Sequence, residues 1–162
     1  MIKVIKALRV DERLIHGQIA MMWSKELGID GIVVANDSAA ADKTRQMVLK
    51  MAVPNGIRVI IRSVNEAITL LKDPRANKMK LLVIVQTIND AVTVCKSIST
   101  IDYVNIGNVG RMSNSSDLKI LSKTVMLSTP ELIALKELVK LYPETALQGV
   151  PQESRVLASK FV

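Results

Sequence analysis

Short apolar runs recur along the chain, each followed by a longer segment whose apolar positions return every three or four residues. The runs at 2–8, 32–35, 57–61, 81–85, 103–106, 124–127 and 146–150 predict strands. Several are apolar without alternation, which is what a strand covered on both faces requires. The segments between them predict helices. Residues 18–27 place Ile19, Met22, Trp23 and Leu27 on one face, and Gly28 closes the helix. A helix over 39–51 is capped by Asp37 or Ser38, and a Ser63–Glu66 capping box opens another that runs to Lys72. Asn89 or Asp90 caps a helix to Ser99, and Thr129, Pro130 and Glu131 begin the next. A solvated loop over 113–116 leads into a short helix, and residues 152–160 predict a closing helix. Strands alternating with helices imply one α/β domain over residues 1–162. Its core is a mainly parallel open sheet of about six or seven strands with helices on both faces.

In such sheets ligands sit in the crevice beyond the carboxyl ends of the strands. That rule gathers four loops, at 9–17, 36–38, 86–89 and 107–111, and puts Asn36, Asp37, Gln86, Thr87, Gly107, Asn108 and Arg111 on a common rim. The first loop carries the chemistry. It reads Arg9-Val10-Asp11-Glu12-Arg13-Leu14-Ile15-His16-Gly17-Gln18 and holds the only histidine of the chain. A glycine-bearing turn into a helix leaves N–H groups facing outward at Gly17 and Gln18, where they favour an anion. Arg13 is the first candidate for an anion clamp and Arg9 the second, because guanidinium forks match phosphate or carboxylate oxygens. Asp11 is the candidate for holding one ring nitrogen of His16, while the arginines favour the neutral ring that a nucleophile needs. Plainer readings exist for each residue: a solvated loop histidine, a surface ion pair for Arg9, a solvated Glu12 and a solvated Arg111. Trp23 reads as a core anchor and Cys95 as a small buried hydrophobe.

The stretch from Arg9 to Gln18 resembles the active-site signature of the IIB components of the mannose/fructose/sorbose family of bacterial sugar phosphotransferase systems. Asn36-Asp37 with Asp42, the run from Lys50 to Gly56, and Val104-Asn105-Ile106-Gly107 fall in that family's order and spacing, so the resemblance covers nearly the whole chain. It implies that His16 is a phosphoryl carrier. The group would come from a phosphohistidine on a IIA domain, through the ring nitrogen nearer the main chain, and pass to a sugar bound by the membrane components IIC and IID. It also implies a cytoplasmic protein held at the inner face of the membrane by those partners. Two loops depart from the family pattern: Gly107-Asn108-Val109 stands where Gly-Gly-Met is usual, and Val85-Gln86-Thr87-Ile88 replaces Phe-Thr-Asn-Pro. Partner choice and sugar class depend on such loops, whereas the signature itself is intact.

Composition narrows the alternatives. The net charge is +7, from 22 basic and 15 acidic residues, but no basic run exceeds four residues and aromatic content is 2%. Stacking platforms for nucleic acid are therefore scarce, and the charge suits acidic partners, phosphorylated groups or an anionic surface better. One cysteine forms no internal disulfide, and every apolar run is too short to cross a bilayer. One histidine and one distant cysteine make no standard structural zinc site, and neither a Walker loop nor a Gly-x-Ser-x-Gly elbow is present. No metal and no cofactor is expected. A homo-oligomer is compatible with the sequence. A competing class is a non-catalytic regulatory module that keeps the fold and binds a phosphorylated partner or anion.

Overall fold

The computed structural model describes residues 5–162. The first part of the strand expected over 2–8 lies outside the described residues. In chain order the elements are β1 (Ile5–Asp11), α1 (Gly17–Leu27), β2 (Gly31–Ala35), α2 (Asp37–Ala40), α3 (Lys43–Met51), β3 (Arg58–Arg62), α4 (Val64–Lys72) and β4 (Leu81–Val85). There follow α5 (Ile88–Ser97), β5 (Val104–Asn108), β6 (Lys119–Ser122), β7 (Val125–Leu127), α6 (Thr129–Leu141), β8 (Ala146–Leu147) and β9 (Val156–Leu157). Seven strands form one sheet in the order β3-β2-β4-β1-β5-β8-β9, parallel except where β9 meets β8.

β1 is central. Leu8 pairs with Val83 on one side and Val104 on the other. β2, β4 and β5 are buried along their whole length; the unbroken apolar runs of β2 and β4 require it, while β5 also buries Asn105 and Asn108. Two cores flank the sheet. On one face Ala20 and Trp23 of α1, Ala39 of α2 and Leu49 of α3 cover Ile32, Val34 and Leu82. On the other, Ala67 of α4, Val94 of α5 and Leu135 of α6 cover Val33, Val83 and Ile106.

The structure departs from the sequence expectation at four elements, each time because a polar side chain or a distant strand claims the backbone. The helix expected over 39–51 is two helices. Asn36 caps the first through the Ala39 N–H and Asp42 restarts the second through the Arg45 N–H. Asp37 caps neither, and accepts instead from the Val64 N–H at 2.9 Å, which ties it to the start of α4. α5 is capped by Thr87, ahead of Asn89 and Asp90. The segment after 113–116 is not helical but runs into the β6–β7 ribbon, where the Val109 backbone bonds to Thr124 and Met126 and holds β7 extended. Residues 152–160 form no helix: Val156 and Leu157 pair with β8, and only Ala158–Lys160 coils as a 3-10 turn. Tertiary pairing outweighs local propensity there.

Candidate functional site

The carboxyl ends of β1, β2, β4 and β5 bring the expected loops to one edge of the sheet. Strand alternation puts Arg9 and Asp11 of β1 on the same face, where Trp23 of α1 packs over Arg9. Arg9 is buried, 3% exposed, with its guanidinium 5.3 Å from the Trp23 ring centre. Its Nη1 donates to Asn105 Oδ1 at 2.7 Å and to the Gln148 carbonyl at 3.2 Å, and its Nη2 donates to Asp11 Oδ2 at 3.2 Å. Burial pushes this guanidinium below its ordinary range, and the Asp11 carboxylate opposes the shift. Gly107 leaves room for it, because a Cβ at that position would collide with the Arg9 guanidinium. Arg9 is thus neither a solvated residue nor a surface ion pair.

Asp11 is 1% exposed and holds both arginines. Its Oδ1 accepts from the Arg13 backbone N–H at 2.9 Å and from Arg13 Nε at 3.1 Å. Its Oδ2 accepts from Arg9 Nη2 and from Arg13 Nη2 at 3.1 Å. The hydrogen bond to the His16 ring expected from the sequence is not formed, since four donors from Arg9 and Arg13 already occupy the carboxylate. Asp11 organises guanidinium groups rather than the imidazole.

Two left-handed residues shape the turn that follows. Leu14 has φ of 62° and Gly17 has φ of 44°. A leucine in that region costs on the order of 1 kcal/mol. Its buried side chain and the Leu14 N–H bond to the Asp11 carbonyl hold it there. His16 emerges between them, exposed, as the residue preceding α1. Its carbonyl accepts from the Ile19 and Ala20 N–H groups, so those of Gly17 and Gln18 stay outside the helix ladder.

A cavity of about 150 Å³ opens beside this turn, lined by Arg9, Arg13, Ile19, Asn108, Arg111 and Glu153 among others. Arg13 and Ile19 bracket His16 in the chain. Asn108 is buried, and its Oδ1 has no hydrogen-bond partner among the described residues. A second cavity of about 330 Å³, lined by Glu12, Gln86, Thr87, Gly110, Met112 and Glu131, adjoins the same loops. Of the expected rim, Gln86, Thr87, Gly107, Asn108 and Arg111 line one cavity or the other. Asn36 supports the rim from behind: its Nδ2 donates to Gln86 Oε1, and Gln86 Nε2 donates to the Glu12 carbonyl. Asp37 is turned to α4 and does not join.

The structure adds residues that sequence reasoning passed over. Glu12 is half-buried, not solvated, and accepts from the Gly110 and Arg111 N–H groups. Beneath Arg9, the Tyr103 hydroxyl donates to Gln148 Oε1, and Asn105 Nδ2 donates to Tyr103 Oη and the Gln148 carbonyl. Nothing in the sequence pattern marks Gln148, which comes from the turn after β8. Trp23 is the anchor it was expected to be, with its Nε1 donating to the Gly149 carbonyl. An apolar cavity of about 180 Å³ between Gly31, Leu70, Met79 and Leu81 lies at the opposite end of the strands and is not part of this site. Among the described residues no group of three or more His, Cys, Asp or Glu side chains could hold a metal ion, and no helix is long and apolar enough to cross a membrane.

The family model for the PTS system sorbose subfamily IIB component matches residues 5–162. The chain is 43% identical over 164 residues to a probable phosphotransferase enzyme IIB component of Streptococcus pyogenes, covering 98% of this chain and 99% of that protein. It is 31% identical over 148 residues to the N-acetylgalactosamine-specific phosphotransferase enzyme IIB component 2 of Escherichia coli, covering 91% and 92%. The crystal structure of the IIBSor domain of the sorbose permease from Klebsiella pneumoniae superposes with a TM-score of 0.85 at 29% identity, covering 95% of this chain and 93% of that one.

Proposed function

The chain belongs to the sorbose subfamily of phosphotransferase-system IIB components, and on that premise we propose that it is a phosphocarrier whose carrier residue is His16. The observation that carries the reading is the exposed His16 at the start of α1, flanked by Arg13 and Ile19, which line the arginine-rich cavity. A phosphoryl group carries its charge on three equatorial oxygens, so its transfer needs positioning and positive charge more than covalent chemistry. In the first step the lone pair of a His16 ring nitrogen forms a P–N bond. The P–N bond of the donor phosphohistidine on a IIA domain breaks, and its electron pair returns to the donor ring. In the second step a sugar hydroxyl oxygen attacks phosphorus. The P–N electron pair returns to His16, and the hydroxyl proton leaves to the freed imidazole or to water. Arg13 is the clamp on the phosphoryl oxygens. Gly17 and Gln18 offer helix N–H groups to them, and Arg9 and Asp11 keep the clamp in place.

The partners in this reading are a IIA domain upstream and the membrane components IIC and IID with their bound sugar downstream. The site of action is the cytoplasmic face of the membrane. Single-domain organisation over residues 1–162 is part of the same proposal. The test is transfer of labelled phosphate from phosphoenolpyruvate through the general carrier proteins and a matched IIA domain to wild type and to His16→Ala. Acid-labile, base-stable label on wild type and none on the variant is expected. Absence of label on both, with folded protein and active donors, refutes the phosphocarrier and leaves an anion-binding regulatory module.

A further inference from the structure

Glu12 reaches out of the signature turn to the loop after β5. Its Oε1 accepts from the Gly110 N–H at 3.1 Å and its Oε2 from the Arg111 N–H at 3.0 Å, while its own N–H donates to the Asn108 carbonyl at 2.9 Å. The same loop is pinned from its far side. The Val109 N–H donates to the Thr124 carbonyl and the Val109 carbonyl accepts from the Met126 N–H, at 2.9 and 2.8 Å. Gly110, with φ of 106°, packs so closely on Met126 that a Cβ would collide with the Met126 carbonyl. The backbone under Arg111 is therefore held by a carboxylate on one side and by the β6–β7 ribbon on the other. Arg111 is exposed and lines the cavity that Arg9 and Arg13 also line. Ordering an arginine of a mobile loop on an anion costs backbone as well as side-chain entropy, and a backbone already fixed removes the first of these costs.

We propose that Arg111 is a third guanidinium ligand for the transferred phosphoryl group and that Glu12 is its positioning residue. This rests on the phosphocarrier reading of His16 and adds two residues to it. Arg13 is tied to Asp11 through Nε and Nη2, and Arg9 is spent on Asp11, Asn105 and Gln148, so both cations of the signature turn are partly committed to protein acceptors. No hydrogen bond from the Arg111 side chain to another described residue competes for its fork, which leaves it available to the anion. Glu12 keeps its own negative charge away from the phosphoryl oxygens by turning it onto two backbone N–H groups.

The test is single-turnover transfer from a phosphorylated IIA domain to wild type, Arg111→Ala, Arg111→Lys, Glu12→Gln and the Glu12→Gln/Arg111→Ala double variant, with thermal unfolding of each as a fold control. Arg111→Ala is expected to slow the maximal transfer rate by about tenfold to a hundredfold, the loss of one charge-assisted contact. The donor concentration at half-maximal rate should be little changed, and Arg111→Lys should recover part of the rate. Glu12→Gln keeps the size of the side chain but offers one acceptor oxygen for two donors, and should slow transfer through the same step. The double variant should then be no slower than Arg111→Ala. Label on wild type with an unaltered rate in Arg111→Ala overturns the third-ligand role. Slowing in the double variant equal to the product of the single effects overturns the positioning role, because Glu12 would then act independently of Arg111. A wild type that accepts no label fails at the phosphocarrier reading itself, an outcome distinct from both.

Discussion

Asp11→Asn separates two roles for the carboxylate at the centre of the site. If Asp11 held the imidazole, the substitution would spare stability and alter only the chemistry of His16. The structure gives it a different task. The Arg9–Asp11 pair has side chains 4% and 1% exposed, so little solvent shields it. Removing one partner of a buried pair leaves an uncompensated charge and costs about 3–5 kcal/mol. The Arg13 side chain is 29% exposed, so its pair is screened and adds only about 0.2–1 kcal/mol, less than the width of that range. An asparagine can still accept from the Arg13 N–H, but its NH2 would face the guanidinium donors that Oδ2 now satisfies. For a domain of this size about 2–4 °C of melting temperature accompanies each kcal/mol, so the variant should melt about 6–20 °C lower. Circular dichroism melts and urea titrations of the two proteins measure it. A melting temperature within about 2 °C of wild type, together with lost phosphoryl transfer, would refute the account and return Asp11 to the imidazole.

Gly107→Ala forces a methyl group against the Arg9 guanidinium and should destabilise by about 1–3 kcal/mol, read from the same melts. A loss below about 0.5 kcal/mol, the scale of ordinary surface changes, would mean the guanidinium has room to shift. Thr87→Ala removes the α5 cap and should cost about 1 kcal/mol. Asn89→Ala should stay within about 0.5 kcal/mol, and an equal loss in both would refute the assignment of Thr87 as the cap. Burial pushes the Cys95 thiol up to about 12 from an ordinary 9.0. Because the folded value is the higher one, its contribution to stability is complete below about pH 9 and is lost as pH rises towards about 12, by up to about 1.4 kcal/mol per unit. Urea midpoints of wild type and Cys95→Ala at pH 8 and pH 10 should diverge in slope, with the wild type falling further. Parallel falls would show that other groups carry the alkaline loss.

Periodicity and strand-end logic were enough to place His16 at the correct sheet edge, because both are local properties. Apolar runs of four or five residues between turn signals read as strands covered on two faces, and the parallel order follows from the helices between them. The partners of the charged residues were not legible in the same way. Arg9 bonds to Asn105 and Gln148, 96 and 139 residues further along the chain, and no local spacing encodes either contact. Alternation along β1 did carry one usable signal: residues two apart in a strand share a face, so Arg9 and Asp11 had to meet on one side of the sheet. A carboxylate buried between two arginines has no lone pair left for a third partner on an exposed turn. The same reasoning separates Glu12 from Asp11. Its side chain leaves the end of the strand on the other side, towards the loop after β5, whose backbone donors were invisible until the fold closed. The signature thus marks the residue proposed to react, while the sheet's non-local closure decides which cations lie near it.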